Sequence, residues 1–167
     1  MNNIGSLFLW FLALIFVQAF LFDPILLGIP YAPFVYVLIL IWLPNYWETW
    51  VVLVLGFIVG LCVDFIFLSG GIHALASLVI CYIRPICIRA TYNDTVDPKE
   101  LRLKNESSYS LFRYSMLVVV LHHFFMLVFV VFDLKNFGWF LTTWLVNSLI
   151  TIVAVSLLLL LVKNQKK

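Results

Sequence analysis

The chain has 167 residues, of which 65% are hydrophobic and 11% are charged, and its formal net charge is +2. A soluble domain carries about 25% charged residues, and a soluble fold of this size could not cover so much apolar surface with so few polar side chains. The composition therefore excludes an ordinary soluble domain and indicates an integral membrane protein. We find no basic patch with aromatic residues, so nothing suggests a nucleic-acid partner.

Long apolar runs predict about six transmembrane helices joined by short links. Each helix needs roughly 20 residues to cross about 30 Å of hydrocarbon, so the six together leave no room for a separate soluble domain. We therefore expect an all-α, polytopic bundle that forms one transmembrane domain over residues 1–167. The expected spans are about 4–22, 31–43, 50–68, 72–90, 111–132 and 138–162.

The first two spans are bounded by prolines. Asp23-Pro24 ends the first, because a proline disfavours helix in the residue before it. No Lys or Arg precedes this span and no small-residue cleavage site follows it, so we expect a retained helix rather than a signal peptide. The second span, 31–43, is short: it either tilts little, thins the bilayer or begins earlier at Ile25.

The third span carries a stripe of unusual residues on one face. Gly56 and Gly60 form a G-x-x-x-G pattern, which allows another helix to approach closely, and packing within the chain is favoured over dimerisation. Asp64 continues the same face four residues later. An acid in an apolar span faces protein or a water-filled cavity. We expect Asp64 either to fix helix packing by a hydrogen bond or to contact a ligand, a proton or a partner.

The fourth span opens with Gly70-Gly71, which favour a tight turn, followed by His73. This histidine should lie near Asp64, and the simplest interpretation is a hydrogen bond between its ring and the carboxylate. Arg84 and Arg89 lie further along, where we expect both to reach toward phosphate headgroups, with binding of an acidic partner as the alternative.

The fifth span contains His122 and His123 in its middle. Adjacent helical residues are about 100° apart, so we expect at least one of these rings to bond to a neighbouring helix. A metal site built from Asp64, His73 and one of them is conceivable, but no ligand spacing supports it, and we predict neither a metal nor a cofactor. The sixth span carries polar residues that suit contacts between helices: Thr142, Thr143, Asn147, Ser148, Thr151 and Ser156.

Basic residues predict the orientation. Residues 91–110 are the longest polar stretch and hold Lys99, Arg102 and Lys104, and three further lysines lie in the C-terminal tail. The positive-inside rule places this loop and the C-terminus in the cytoplasm. With six spans the N-terminus is also cytoplasmic, and it moves outside if 31–43 does not cross.

Two segments together resemble the signature of MreD, the family of bacterial rod shape-determining membrane proteins. The first is Gly56-Phe57-Ile58-Val59-Gly60-Leu61-Cys62-Val63-Asp64, and the second is Ser69-Gly70-Gly71-Ile72-His73-Ala74-Leu75. The matching positions are Gly56, Gly60, Asp64, Gly71 and His73, which we take as the candidate partner or packing face. The resemblance covers about 25 residues, and the remainder of the chain matches in hydropathy.

The resemblance implies a non-catalytic scaffold of the cell-elongation (rod) complex in the cytoplasmic membrane, supporting cell shape and peptidoglycan synthesis. The implied direct partner is MreC, and through it the glycosyltransferase RodA, a class B penicillin-binding transpeptidase and the MreB filament. The implied fold is the six-helix bundle of the substrate-binding components of energy-coupling-factor vitamin transporters.

Two other functions stay open from the sequence. One is a transport subunit that captures a small molecule such as a vitamin, with Asp64 and His73 lining its pocket. The other is a small intramembrane enzyme using His122 or His123. Because no phosphate-binding loop and no nucleophile with a paired base is present, we predict no catalytic residues.

Overall fold

The computed structural model describes residues 4–22, 31–93, 95–130 and 136–164. Within these ranges the chain is helical, without strands, and its six helices are α1 (Ile4–Leu21), α2 (Val37–Trp42), α3 (Thr49–Phe67), α4 (Ile72–Tyr92), α5 (Ser108–Val130) and α6 (Phe137–Asn164). Four of them, α3 to α6, are long and apolar enough to cross a membrane. The chain is therefore an all-α membrane protein, and its four long helices lie where apolar length predicts helices.

The four long helices pack in chain order, each against the next. Short connections favour this arrangement, because two helices joined by a few residues become antiparallel neighbours. Their outward faces carry large apolar side chains, such as Trp50 on α3, Tyr82 on α4 and Leu149 on α6, which are 63–69% exposed. Such side chains suit contact with lipid.

The second helix differs from expectation. Helix is present only over Val37–Trp42, whereas residues 31–34 are not helical and 35–36 form a turn. Pro33 accounts for part of this difference, since proline disfavours helix in the residue before it. At 1.5 Å per residue, six residues make only about 9 Å of helix, far less than a span. Residues 32–41 are nonetheless buried throughout, so α2 lies inside the bundle, against α4 and α5.

Several sequence expectations lie outside the described residues. These are the link at 23–30, including the Asp23-Pro24 boundary and Ile25, residues 131–135 between the last two expected spans, and the tail lysines Lys166 and Lys167.

Candidate functional site

The glycines of α3 lie against α4. A Cβ added at Gly60 would meet the backbone of His73 and Ala74, with the Ala74 Cα only 2.5 Å away. A Cβ added at Gly56 would instead collide with the Sγ of Cys81. The G-x-x-x-G face is thus filled by the next helix of the same chain, and a partner helix would have to bind another surface.

Asp64 joins the end of α3 to the start of α4. Its carboxylate accepts hydrogen bonds from the backbone N–H groups of His73 (3.0 Å) and Ala74 (2.8 Å) and from the Ser69 hydroxyl (2.5 Å). The first N–H groups of a helix have no partner within it, and an anion there also interacts favourably with the helix dipole. The expected bond between Asp64 and the His73 ring is wrong, because the carboxylate binds the main chain instead.

The turn between these helices depends on backbone conformations that suit glycine. Gly70 and Gly71 have φ values of +72° and +97°, in the left-handed region. Glycine adopts this region without steric cost. Gly56, Gly60, Asp64 and Gly71 therefore act together in one helical hairpin, while the His73 ring binds the Tyr36 hydroxyl.

The non-helical segment before α2 has its backbone groups bound by side chains from other helices. Gln18 of α1 donates to the Pro33 carbonyl at 3.2 Å and accepts from the Tyr36 N–H at 3.4 Å. Thr151 of α6 accepts from the Phe34 N–H at 3.0 Å. Non-helical backbone at membrane depth is tolerated where protein groups satisfy its hydrogen bonds. These two polar side chains have that structural role.

Arg84 of α4 binds the free backbone carbonyl groups at the C-terminal end of α2. Its Nη2 donates to the carbonyl of Ile41 at 2.9 Å and to that of Leu43, while its Nε donates to the Tyr114 hydroxyl at 3.0 Å. A cation suits the C-terminal end of a helix, where carbonyl groups lack partners. Arg84 does not extend along the helix surface as expected, because the side chain is only 3% exposed and its guanidinium binds carbonyl groups inside the bundle.

A tyrosine and two histidines form the remaining polar cluster. The Tyr36 hydroxyl lies 3.0 Å from Nδ1 of His73 and 2.7 Å from Nε2 of His122, bringing α2, α4 and α5 together. The Tyr36 and His122 side chains are fully buried, and His73 is 5% exposed. The ring of Phe34 covers His73, with the ring centroids 5.1 Å apart. We take Tyr36, His73 and His122 as the candidate functional site.

The Tyr36 hydroxyl cannot donate to both of its imidazole neighbours. A phenol has one hydrogen to donate, so at least one of the two imidazoles must donate to the Tyr36 oxygen. In either case Nδ1 of His122 is a buried atom without a hydrogen-bond partner, and leaving such an atom unpaired costs free energy.

His123 belongs to a neighbouring set of contacts. Its Nε2 lies 3.2 Å from the Thr151 hydroxyl, and its Nδ1 lies 2.9 Å from the Val119 carbonyl. The two adjacent histidines thus face different helices, as the helical geometry requires. In the part of the chain that the structure describes, no three His, Cys, Asp or Glu side chains are placed to hold a metal ion.

Sequence reasoning did not identify Tyr36 or Gln18 as functional. Gln18 had a usable signal, because an amide within an apolar span is expected to find a polar partner. Tyr36 gave no sequence signal of a functional role, since a tyrosine among valines and leucines is typical of any membrane segment.

The comparisons with known proteins add no identification: no protein-family model, no curated protein and no solved structure matches this chain.

Proposed function

We propose that this chain is a non-catalytic scaffold subunit of the bacterial rod complex in the cytoplasmic membrane, supporting peptidoglycan synthesis through MreC. The observation that carries the proposal is the α3–α4 hairpin. Four of the five positions that resemble the MreD signature hold it directly, namely Gly56, Gly60, Asp64 and Gly71. Matching positions that together build one structural unit support a family resemblance more strongly than matching positions scattered over the fold.

The partner surface follows from what the hairpin leaves free. Because α4 occupies the glycine face of α3, a single-span partner such as MreC must bind outward-facing side chains. Phe57 and Phe65 on α3 and Tyr82 on α4 point outward and are 39–72% exposed. In this proposal MreC links the bundle to RodA, to a class B penicillin-binding transpeptidase and to MreB. Residues 91–110 and the C-terminus lie in the cytoplasm.

Site-directed photo-crosslinking in cells tests the proposal. A photoreactive residue at Phe65 or Tyr82 is expected to capture MreC, and depletion of the chain should turn rods into spheres. The matched control is a buried position such as Val63, which should capture nothing. Normal cell shape after depletion, together with absence of MreC from every outward position, would refute the scaffold role.

A second function is favoured by the short buried helix α2. Interrupted helices near polar side chains mark binding sites in many transporters, and the α2 start lies beside the Tyr36 cluster. The alternative is therefore a ligand-capturing subunit with a bundle like that of energy-coupling-factor transporters. Since Phe34, Tyr36 and His122 are buried, a ligand would have to displace one of these side chains.

Mass spectrometry of the purified protein distinguishes the two functions. A small molecule that is retained by the natural protein and lost on Tyr36→Phe would support capture. Retention of the same molecule by both proteins, or by neither, would refute it.

A further inference from the structure

The polar loop after α4 folds back over one end of the bundle. The Asn45 side chain donates to the Leu101 carbonyl at 3.1 Å, and Lys99 pairs with Glu48 at 3.7 Å. These contacts fix residues 95–102 beneath the link that joins α2 to α3. The loop thus forms one side of a space between itself and α4.

The space beside the loop is an open cavity of about 360 Å³. Its polar lining carries three cations and one acid, namely Arg84, Arg89, Lys99 and Asp97. Its apolar lining comes from the two long helices and includes Val52, Cys81, Pro85 and Ile88, with Trp47 at the link. α4 therefore contributes both the two arginines and much of the apolar lining.

Arg84 is the residue that makes the cavity unusual. In the ranges that the structure describes, no carboxylate lies within ion-pair distance of its guanidinium. Nε and Nη2 are occupied by neutral acceptors, whereas Nη1 has no acceptor there. A buried cation is costly unless an anion balances it. A site with a free guanidinium nitrogen and a second arginine beside it favours an anion with several oxygens.

The position and lining of the cavity specify the kind of anion. α4 continues only eight residues beyond Arg84, to Tyr92, and the polar loop follows at once, so the cavity lies near the headgroup level of one leaflet. Its apolar wall suits the glycerol and acyl carbons of an amphiphile, and its arginines suit a phosphate. Anionic lipids concentrate at basic sites of this kind between helices.

We propose that this cavity binds the phosphate of an anionic phospholipid, with Arg84 and Arg89 as its ligands. Arg84 supplies the buried charge and is itself held by the carbonyl groups at the end of α2. Arg89, which is exposed, closes on the phosphate from the rim. Lys99 is paired with Glu48 and Asp97 also lines the cavity, so the two arginines supply the positive charge that a phosphate would meet.

Native mass spectrometry of the full chain in detergent tests the site, with phosphatidylglycerol as the probe and phosphatidylcholine as the zwitterionic comparison. Removing one cation near a lipid surface is expected to weaken binding about fivefold. The dissociation constant for phosphatidylglycerol should therefore be about fivefold higher for Arg89→Gln than for the natural chain. Arg113→Gln is the matched control, because Arg113 is an exposed cation outside the cavity lining.

Equal weakening by Arg89→Gln and Arg113→Gln would overturn the proposal, as would no weakening by Arg89→Gln or equal binding of both lipids. Inorganic phosphate is the second probe. If it binds as tightly as phosphatidylglycerol, the site serves a free phosphate and the assignment to lipid is wrong. Arg84→Lys is a further variant. It keeps the positive charge but loses the planar guanidinium with its several N–H donors, so it should bind phosphatidylglycerol more weakly than the natural chain.

Discussion

Substituting Gly60 tests how closely α3 and α4 must approach. In Gly60→Ala the new Cβ would lie 2.5 Å from the Ala74 Cα and 2.6 Å from the His73 carbonyl carbon, whereas ordinary contacts begin at 3.4 Å. The His73 carbonyl oxygen is also too close, and all three atoms belong to the backbone, so no side-chain rotation relieves the clash. The helices must separate by about 0.9 Å, the difference between 3.4 and 2.5 Å. This movement also stretches the bonds of Asp64 to α4.

Overpacking of this kind typically costs about 1–3 kcal/mol, and alanine regains up to about 1 kcal/mol of helix propensity. Since the clash is with backbone, we take the upper end of the overpacking range and expect Gly60→Ala to lower the free energy of unfolding by about 2 kcal/mol. Gly56→Ala should cost under about 1 kcal/mol, because its main obstacle is the Cys81 side chain, which can rotate. Unfolding by dodecyl sulfate in mixed micelles, followed by circular dichroism, measures both.

Two controls make the comparison decisive. Gly5→Ala places its Cβ in open space and should leave stability unchanged or slightly raised. Removing the obstacle with Cys81→Ala should reduce the cost of Gly56→Ala but leave that of Gly60→Ala unchanged, which a double-mutant cycle resolves. The reasoning fails if Gly56→Ala costs more than Gly60→Ala, or if Cys81→Ala relieves both equally.

Three further substitutions are assessed by the same unfolding measurement. Tyr36→Phe leaves two buried imidazoles without their shared hydroxyl, so it should lower the free energy of unfolding by about 1–3 kcal/mol. The control Tyr82→Phe, on the outward face, should lower it by nothing. Equal losses of stability would contradict a role for the cluster. Thr151→Val removes the acceptor of a buried N–H and should lower the free energy of unfolding by about 1–2 kcal/mol. The control Thr142→Val should cause no loss, because Thr142 is exposed. Equal stability of the two variants would count against the role of Thr151. Asp64→Asn keeps one acceptor oxygen but loses the charge, so we expect it to lower the free energy of unfolding by about 1–2 kcal/mol. Unchanged stability would show that the start of α4 does not need the anion.

The four long helices were predictable because length and hydropathy alone determine them. The sequence predicts 50–68 and 72–90, and the structure has Thr49–Phe67 and Ile72–Tyr92. The Gly70-Gly71 turn separates the two with little ambiguity. The side-chain pairing of His73 was not predictable, because the backbone N–H groups at the start of α4 compete for Asp64 and are already in place.

The second helix could not be derived from local sequence. Its apolar residues fit a helix over 31–43, but the structure breaks it at a point where Gln18 and Thr151 satisfy the backbone. Both partners are distant in the sequence, so a local pattern carries no sign of them. The burial of Arg84 was not predictable for the same reason: its charge is visible in the sequence, but the carbonyl groups that it binds belong to another helix.

The short helix α2 has a consequence for biogenesis. Membrane helices generally insert singly and associate afterwards, but a six-residue helix is too short to insert as an independent span. The side chains that hold its two ends lie on α1, α4 and α6, and α6 is the last of these helices to be synthesised. We therefore expect residues 31–43 to reach their final position only after α6 has been synthesised, and a ribosome-bound intermediate that lacks α6 should leave this segment accessible to water-soluble labelling reagents.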